Sequence, residues 1–337
     1  MLDFSVNSNP FGPPQSLIKA LKNSSYSIGE YPDYKNKKIF AILGKFLCIS
    51  PKNIGLGVGS TQILFDMPKM LPYKRAVIII PTFWEYISFN TLFKKKIKKI
   101  RLLEKDNFAP DYNLIYKTIK VDDCVFICNT NNPTSTIYQK KKLLELIKNN
   151  PNVQFVIDET YLIFRSDYFK QSLAKQAQRQ KNLHVVMSLS KFFSIPGMRL
   201  GILVSHREVV ETYNKQFHIP YSVSSFSLIA LLHLFKNKKF IIGAQHFYDK
   251  ERERLYKLFQ QKLFGRLRCV KPDGNFILAR ILTKQKSQNV KNSLKKNGIL
   301  VRGGHELLDM TNKWVRFSIR KTKDNKKLVR EMDKVLK

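Results

Sequence analysis

Lys191 lies in the segment Ser188-Leu-Ser-Lys191-Phe-Phe-Ser-Ile-Pro196-Gly197-Met-Arg199-Leu-Gly201, between hydroxyl groups and eight residues before an arginine. A lysine attacks an aldehyde only as the free amine, so that chemistry requires burial or neighbouring cations to lower its pKa. Ser188, Ser190 and Arg199 suit a phosphate dianion, by hydrogen bonding and by charge. Alone, the segment reads equally as a surface lysine beside a Pro-Gly turn. Val156-Ile-Asp158-Glu159-Thr160-Tyr161 ends an apolar run in a carboxylate, which suits a protonated ring nitrogen or simply caps the next element. Cys128-Asn-Thr-Asn-Asn132-Pro133-Thr134 offers an amide to a phenolic oxygen or a carboxylate, or is a plain Asn-Pro turn. Gly57-Val-Gly59-Ser60-Thr61 precedes a helical stretch whose first N–H groups suit a phosphate, although a lone GxGS is also an ordinary loop. Phe83, in Pro81-Thr-Phe83, is placed to stack on a flat ring or to fill core.

These segments need elements to hold them. Ala76–Pro81, Cys124–Asn129, Val153–Asp158, His184–Ser188 and Leu200–Val204 read as buried strands. Between them lie stretches of helical period, Thr61–Leu71, Gln139–Asn149 and Phe169–Gln180. That alternation predicts an α/β domain around a mostly parallel central sheet with helices on both faces. Beyond about Ser205 the pattern changes to the helices Ser224–Phe235 and Gly243–Phe264. Strands at Phe276–Arg280, Ile299–Arg302 and Trp314–Ile319 follow. The expected division is a large cofactor-binding domain over 31–215 and a smaller α+β domain from 1–30 with 216–337.

Composition narrows the classes. At 337 residues with 43% hydrophobic content, the chain has ample material for a packed interior. No apolar run approaches the roughly 18 residues of a membrane span. MLDFSVNSNP lacks a basic start followed by an apolar segment, so a secretory signal is not expected and the cytoplasm is. Cys48, Cys124, Cys128 and Cys269 fit no metal spacing, and Cys124 and Cys128 read as small buried side chains on one strand face. The six histidines form no ligand pair, so no catalytic metal is expected. The 60 Lys plus Arg against 25 Asp plus Glu give a net charge of +35. They are spread along the chain, with short runs at Lys94–Lys99 and Lys140–Lys142, as compositional bias on a solvated surface would give. Neither specific nucleic-acid nor membrane binding is expected, although such a field attracts phosphorylated metabolites.

From Asp3 to Arg320 the motifs, in this order, resemble the fold type I pyridoxal-phosphate enzymes, in the branch holding threonine-phosphate decarboxylase and histidinol-phosphate aminotransferase. The resemblance implies pyridoxal 5′-phosphate as cofactor, with Lys191 joined to its aldehyde and moving protons. It implies Asp158 on the pyridine nitrogen, Asn132 and Tyr161 on the ring oxygen, and Phe83 stacked on the ring. Ser188, Ser190, Arg199 and the Gly59–Ser60–Thr61 backbone would hold the phosphate, with Tyr31 of Tyr31-Pro32-Asp33 reaching it from a second subunit of a homodimer. Arg316, in Val315-Arg316-Phe-Ser-Ile-Arg320, matches an arginine for the substrate carboxylate. Arg302 matches one for the substrate phosphate, and Asn9 and Asn132 join the substrate-binding set.

Asp3-Phe-Ser-Val-Asn-Ser-Asn-Pro-Phe-Gly-Pro-Pro14, Ser194-Ile-Pro-Gly-Met-Arg-Leu-Gly201 and Val315 to Leu328 look more like the decarboxylase. Three departures stand against it. The His-Gly-Gly segment that usually precedes the opening motif is missing, Tyr161 follows the aminotransferase pattern, and Gly303-Gly304-His305 replaces the usual polar turn. The leading expectation is a decarboxylase of O-phospho-L-threonine or O-phospho-L-serine that yields an amino-alcohol phosphate. The alternatives are an aminotransferase of the histidinol-phosphate type and a non-catalytic basic binding protein.

Overall fold

The computed structural model describes residues 1–337. In chain order the strands are β1 (Leu2–Asp3), β2 (Ile54–Val58), β3 (Arg75–Ile80), β4 (Lys96–Arg101), β5 (Asp123–Cys128), β6 (Gln154–Asp158) and β7 (Leu183–Ser188). They continue with β8 (Leu200–Val204), β9 (Leu267–Cys269), β10 (Phe276–Ile281), β11 (Ile299–Leu300), β12 (Arg302–Gly303) and β13 (Trp314–Ser318).

Seven strands form the central sheet in the order β2-β8-β7-β6-β5-β3-β4. The pairs from β4 through β7 are parallel, whereas β8 runs antiparallel to both its neighbours. The five expected strands all lie in this sheet, and every residue of β5, β7 and β8 is buried. Continuous apolar runs are what a sheet covered on both faces demands. Because β2, β3, β5, β6 and β7 point the same way, their C-terminal ends share one edge. There the chain delivers Gly59, Phe83, Asn132, Asp158 and Lys191.

Two strands of this sheet escape the pattern rules. β4, the Lys-rich run KIKKIR, is an edge strand whose exposed Lys96, Lys98 and Lys99 deter pairing with another chain. β2 holds Gly55 and Gly57 because Tyr213 and Ile63 pack onto its backbone: a Cβ on Gly55 would lie 2.9 Å from Tyr213 Cδ1, and one on Gly57 2.6 Å from Ile63 Cγ1.

The expected helix Phe169–Gln180 is instead two short ones, Tyr168–Gln171 and Ala174–Ala177. Buried Glu159 breaks it, accepting from Ser172 Oγ at 2.6 Å and from the Leu173 N–H at 2.7 Å. Ile299–Arg302 likewise divides. β11 pairs in parallel with β1, while β12 pairs with β13 in the smaller sheet β12-β13-β10-β9. The chain's first residues are thereby tied to its last third. The helices Lys238–Lys262, Ser287–Lys296 and Thr322–Val335 accompany this sheet. No helix is long and apolar enough to cross a membrane.

Candidate active site

A cavity of about 340 Å3 opens at the C-terminal edge of the central sheet, where the β12–β13 region meets it. Its lining includes Gly59, Ser60, Thr61, Phe83, Asn132, Asp158, Tyr161, Ser188, Ser190, Lys191 and Arg199 from the large sheet's side, together with Arg302 and Arg316. Residues spread over more than 250 positions therefore meet in one place.

Asp158, the last residue of β6, is buried. Its Oδ2 accepts from the Tyr86 hydroxyl at 2.8 Å and its Oδ1 from the Thr160 N–H at 3.0 Å. Burial pushes its carboxyl up, against the pull of the Thr160 and Tyr86 hydrogen bonds. A buried carboxylate with two donors and no cation is a fitting partner for a protonated ring nitrogen. Tyr86 itself was not anticipated. It stands three residues after Phe83 and inside the first turn of the helix Glu85–Leu92, so spacing alone reads it as core.

Lys191 follows β7. Burial lowers the pKa of its amine, and Arg316, Arg199 and Arg302 add to the effect in that order. Three arginines and partial desolvation supply what nucleophilic use of the amine requires.

The remaining lining forms a cradle for an anion. Gly59 starts the helix Gly59–Met70 with φ +77°, and a Cβ there would lie 2.7 Å from Arg199 Nη2. A Cβ on Gly201 would lie 2.3 Å from the Gly59 carbonyl carbon, so this glycine lets the helix start press against β8. Ser190 Oγ is buried with no hydrogen-bond partner in the protein. Ser60 and Thr61 add first-turn N–H groups beside the Arg199 guanidinium. This donor set fits the phosphate of pyridoxal phosphate, Asp158 fits the ring nitrogen, and Lys191 fits the aldehyde.

The opposite end is cationic. Arg316 is buried on β13; its Nη1 donates to Asn132 Oδ1 at 2.6 Å and its Nη2 to the Ser5 carbonyl at 2.7 Å. Burial brings this guanidinium down to about 10, with Tyr161 opposing the shift and Arg302 assisting it. Arg302 stands directly across the ladder from Arg316 and is held by Glu306 at 3.2 Å. Burial pushes the Tyr161 phenol up to about 12, with Arg316 opposing.

One expected residue lies elsewhere. Asn9 does not line the cavity. Its backbone N–H donates to the Lys191 carbonyl at 2.9 Å and its Nδ2 to the Phe192 carbonyl at 2.9 Å, so its side chain is spent on the lysine's own segment. Asn7 lines the cavity instead, its amide buried without a partner. An Asn-Ser-Asn repeat cannot reveal which asparagine faces inward. Tyr31 is 84% exposed, packs on Tyr221 at 5.0 Å between ring centroids, and does not line its own chain's cavity. Cys128 lines the cavity floor, its thiol pushed up by burial, and Cys124 is buried in the same strand.

The family model for aminotransferase class I and II matches residues 1–332. A histidinol-phosphate aminotransferase of Caldicellulosiruptor saccharolyticus is 27% identical over 340 residues, covering 100% of this chain and 92% of that protein. A threonine-phosphate decarboxylase of Salmonella typhimurium is 26% identical over 341 residues, covering 100% and 91%. Among solved structures, the histidinol-phosphate aminotransferase from Clostridium acetobutylicum superposes with a TM-score of 0.92 at 26% identity, covering 100% of this chain and 99% of that one.

Proposed function

The chain belongs to the class I and II aminotransferase family and is a pyridoxal-phosphate-dependent enzyme; on that premise we propose that it decarboxylates a small phosphorylated L-amino acid, O-phospho-L-threonine or O-phospho-L-serine. The observation that carries this reading is the pair of arginines on adjacent strands, Arg316 and Arg302, facing the Lys191 end of one cavity. Such a substrate has two anions. Arg316, desolvated and braced by Asn132 and Ser5, suits the carboxylate, and the more exposed Arg302 suits the phosphate.

Bound pyridoxal phosphate supplies an aldehyde for the substrate's amine and a ring that accepts an electron pair released at Cα. The protein's residues do the rest. Asp158 would hold the ring nitrogen in its charged form, with Tyr86 and Thr160 fixing the carboxylate. Phe83 would cover the ring, and Asn132 and Tyr161 would address its oxygen. Where Arg316 and Arg302 would hold the two anions sets which bond at Cα would be presented for cleavage. Arg316 would hold the carboxylate that leaves as carbon dioxide, and Lys191, in its ammonium form, would be placed to deliver the replacing proton to Cα. The division into 31–215 and 1–30 with 216–337 accords with a cavity lined from both. A homodimer would bring an exposed Tyr31 to the partner's phosphate cradle.

The second reading is amino-group transfer on histidinol phosphate or a related amine. Tyr161 in the cavity wall and the likeness to the Clostridium acetobutylicum enzyme favour it. Incubation of the holoenzyme with each phospho-amino acid, without any 2-oxo acid, distinguishes them. Stoichiometric carbon dioxide and an amino-alcohol phosphate are expected. Turnover that requires a 2-oxo acid acceptor and releases no carbon dioxide overturns the decarboxylase reading.

A further inference from the structure

The turn after Arg302 carries a carboxylate into the end of the cavity that holds Arg302 and Arg316. Its backbone is tightly packed: a Cβ on Gly304 would lie 1.9 Å from the Thr311 carbonyl oxygen, so no side chain fits there. The Gly-Gly turn brings Glu306 back onto its own strand, where Oε2 accepts from the Gly303 N–H at 2.9 Å. Its Oε1 meets two cations, Lys291 Nζ at 2.8 Å and Arg302 Nη1 at 3.2 Å. Glu306 lines the same cavity as Arg302, Arg316 and Lys191. Partial burial pushes its carboxyl up, but Lys291, the Gly303 N–H and Arg302 together hold it below the ordinary glutamate value. It is therefore an anion at neutral pH, stationed on the cation that an incoming phosphate would use.

We propose that Glu306 is a specificity-determining residue that occupies Arg302 as an internal anion and sets how strongly a phosphate group at the far end of the substrate is preferred. The role rests on the reading that Arg302 faces the substrate's phosphate. A phosphate dianion arriving there must separate Glu306 from Arg302, and Lys291 keeps the displaced carboxylate paired. A substrate with no anion at that end leaves the Glu306–Arg302 pair intact and gains nothing from losing it. Glu306 thus lowers the advantage of phosphorylated over unphosphorylated ligands and eases the departure of a phosphorylated product. The Gly303-Gly304 turn is the backbone device that makes this placement possible.

Calorimetric titration of the holoenzyme with inorganic phosphate reads the effect without relying on turnover. In the holoenzyme the cradle at Ser190 and Arg199 is filled by the cofactor, which leaves the Arg302 end to the probe. Glu306→Gln keeps the side chain's shape and an acceptor for the Gly303 N–H, and should bind phosphate about tenfold more tightly than the unaltered protein. The double variant Glu306→Gln with Arg302→Gln should bind no better than Arg302→Gln alone. Asp309→Asn, removing a carboxylate three residues away that is held by Arg101 at 3.1 Å, should change affinity by less than about twofold. Equal or weaker binding by Glu306→Gln overturns the proposal, as does a gain that survives in the double variant, or no phosphate binding by any form. If the tenfold gain appears but neither phospho-amino acid is turned over, the substrate reading fails and the role of Glu306 stands.

Discussion

Lys191 keeps the company of three arginines, and that company governs its charge. Burial contributes most to lowering its pKa, followed by Arg316 and then by Arg199 and Arg302. A lowered lysine pKa means that the free amine appears at a lower pH than for an ordinary lysine, near 10.4. The rate at which apoprotein captures pyridoxal phosphate should therefore rise with pH through a midpoint below that value. Arg316→Gln removes a cation that disfavours the ammonium form, so the midpoint should move to higher pH. Absorbance-followed capture across a pH series checks both expectations, and a midpoint that stays put in the variant contradicts the assigned cause. Asp158 poses the converse case: two donors and no cation hold it, so Tyr86 does as much to define the site as residues that touch the cavity directly.

The site's anion cradle is a property of two elements in contact, the helix Gly59–Met70 and strand β8. Gly201 sits on β8 opposite Gly57, and the helix start lies so close that a Cβ at 201 would be 2.4 Å from the Ser60 amide nitrogen. Gly201→Ala must push the helix start away from the strand. We expect a stability loss of about 1–3 kcal/mol, as for overpacking elsewhere. We also expect cofactor affinity to fall by at least about tenfold, because the first-turn N–H groups and Arg199 move apart. Denaturant melts of the apoprotein and equilibrium titration with pyridoxal phosphate measure the two losses separately. Affinity unchanged in a folded variant would mean that the helix start does not hold the phosphate. The same reasoning explains the broken helix at 172–173, where Glu159 takes backbone and hydroxyl donors that a continuous helix would have used otherwise.

On the scale of the whole molecule, 60 cationic against 25 anionic side chains must coexist on one folded surface. Several of the acids are engaged with bases, as in Arg75–Asp123 at 2.7 Å and Arg165–Asp167 at 2.7 Å, yet most lysines have no such partner. Self-repulsion of this kind opposes the compact state and is screened within about 10 Å at 0.1 M salt. The thermal midpoint should therefore rise by a few degrees between about 0.02 and 0.3 M sodium chloride, and calorimetric scans across that range test it. A falling midpoint would mean that the surface ion pairs outweigh the repulsion. The lysines of β4 have a local use besides, since they cap the open edge of the central sheet.

The amino-acid sequence alone determined the alternation of elements and the order of the chemical motifs, because buried parallel strands must be apolar throughout and the residues at their ends are spaced by turns and helices. The strand ends where Lys191, Asp158, Asn132, Phe83 and Arg199 stand are legible for that reason, and their roles only through the resemblance that the ordered motifs bear to a known family. What only the tertiary structure decided is how distant segments face each other. The hold of Tyr86 on Asp158, the inward turn of Asn7 rather than Asn9, and the meeting of the Glu306 carboxylate with Lys291 are all decided through the third dimension. Local periodicity is blind to them: a phenol in a helix, an asparagine in a loop and a glutamate after two glycines each have an ordinary local explanation. Their chemistry comes from what the folded chain brings within hydrogen-bonding distance.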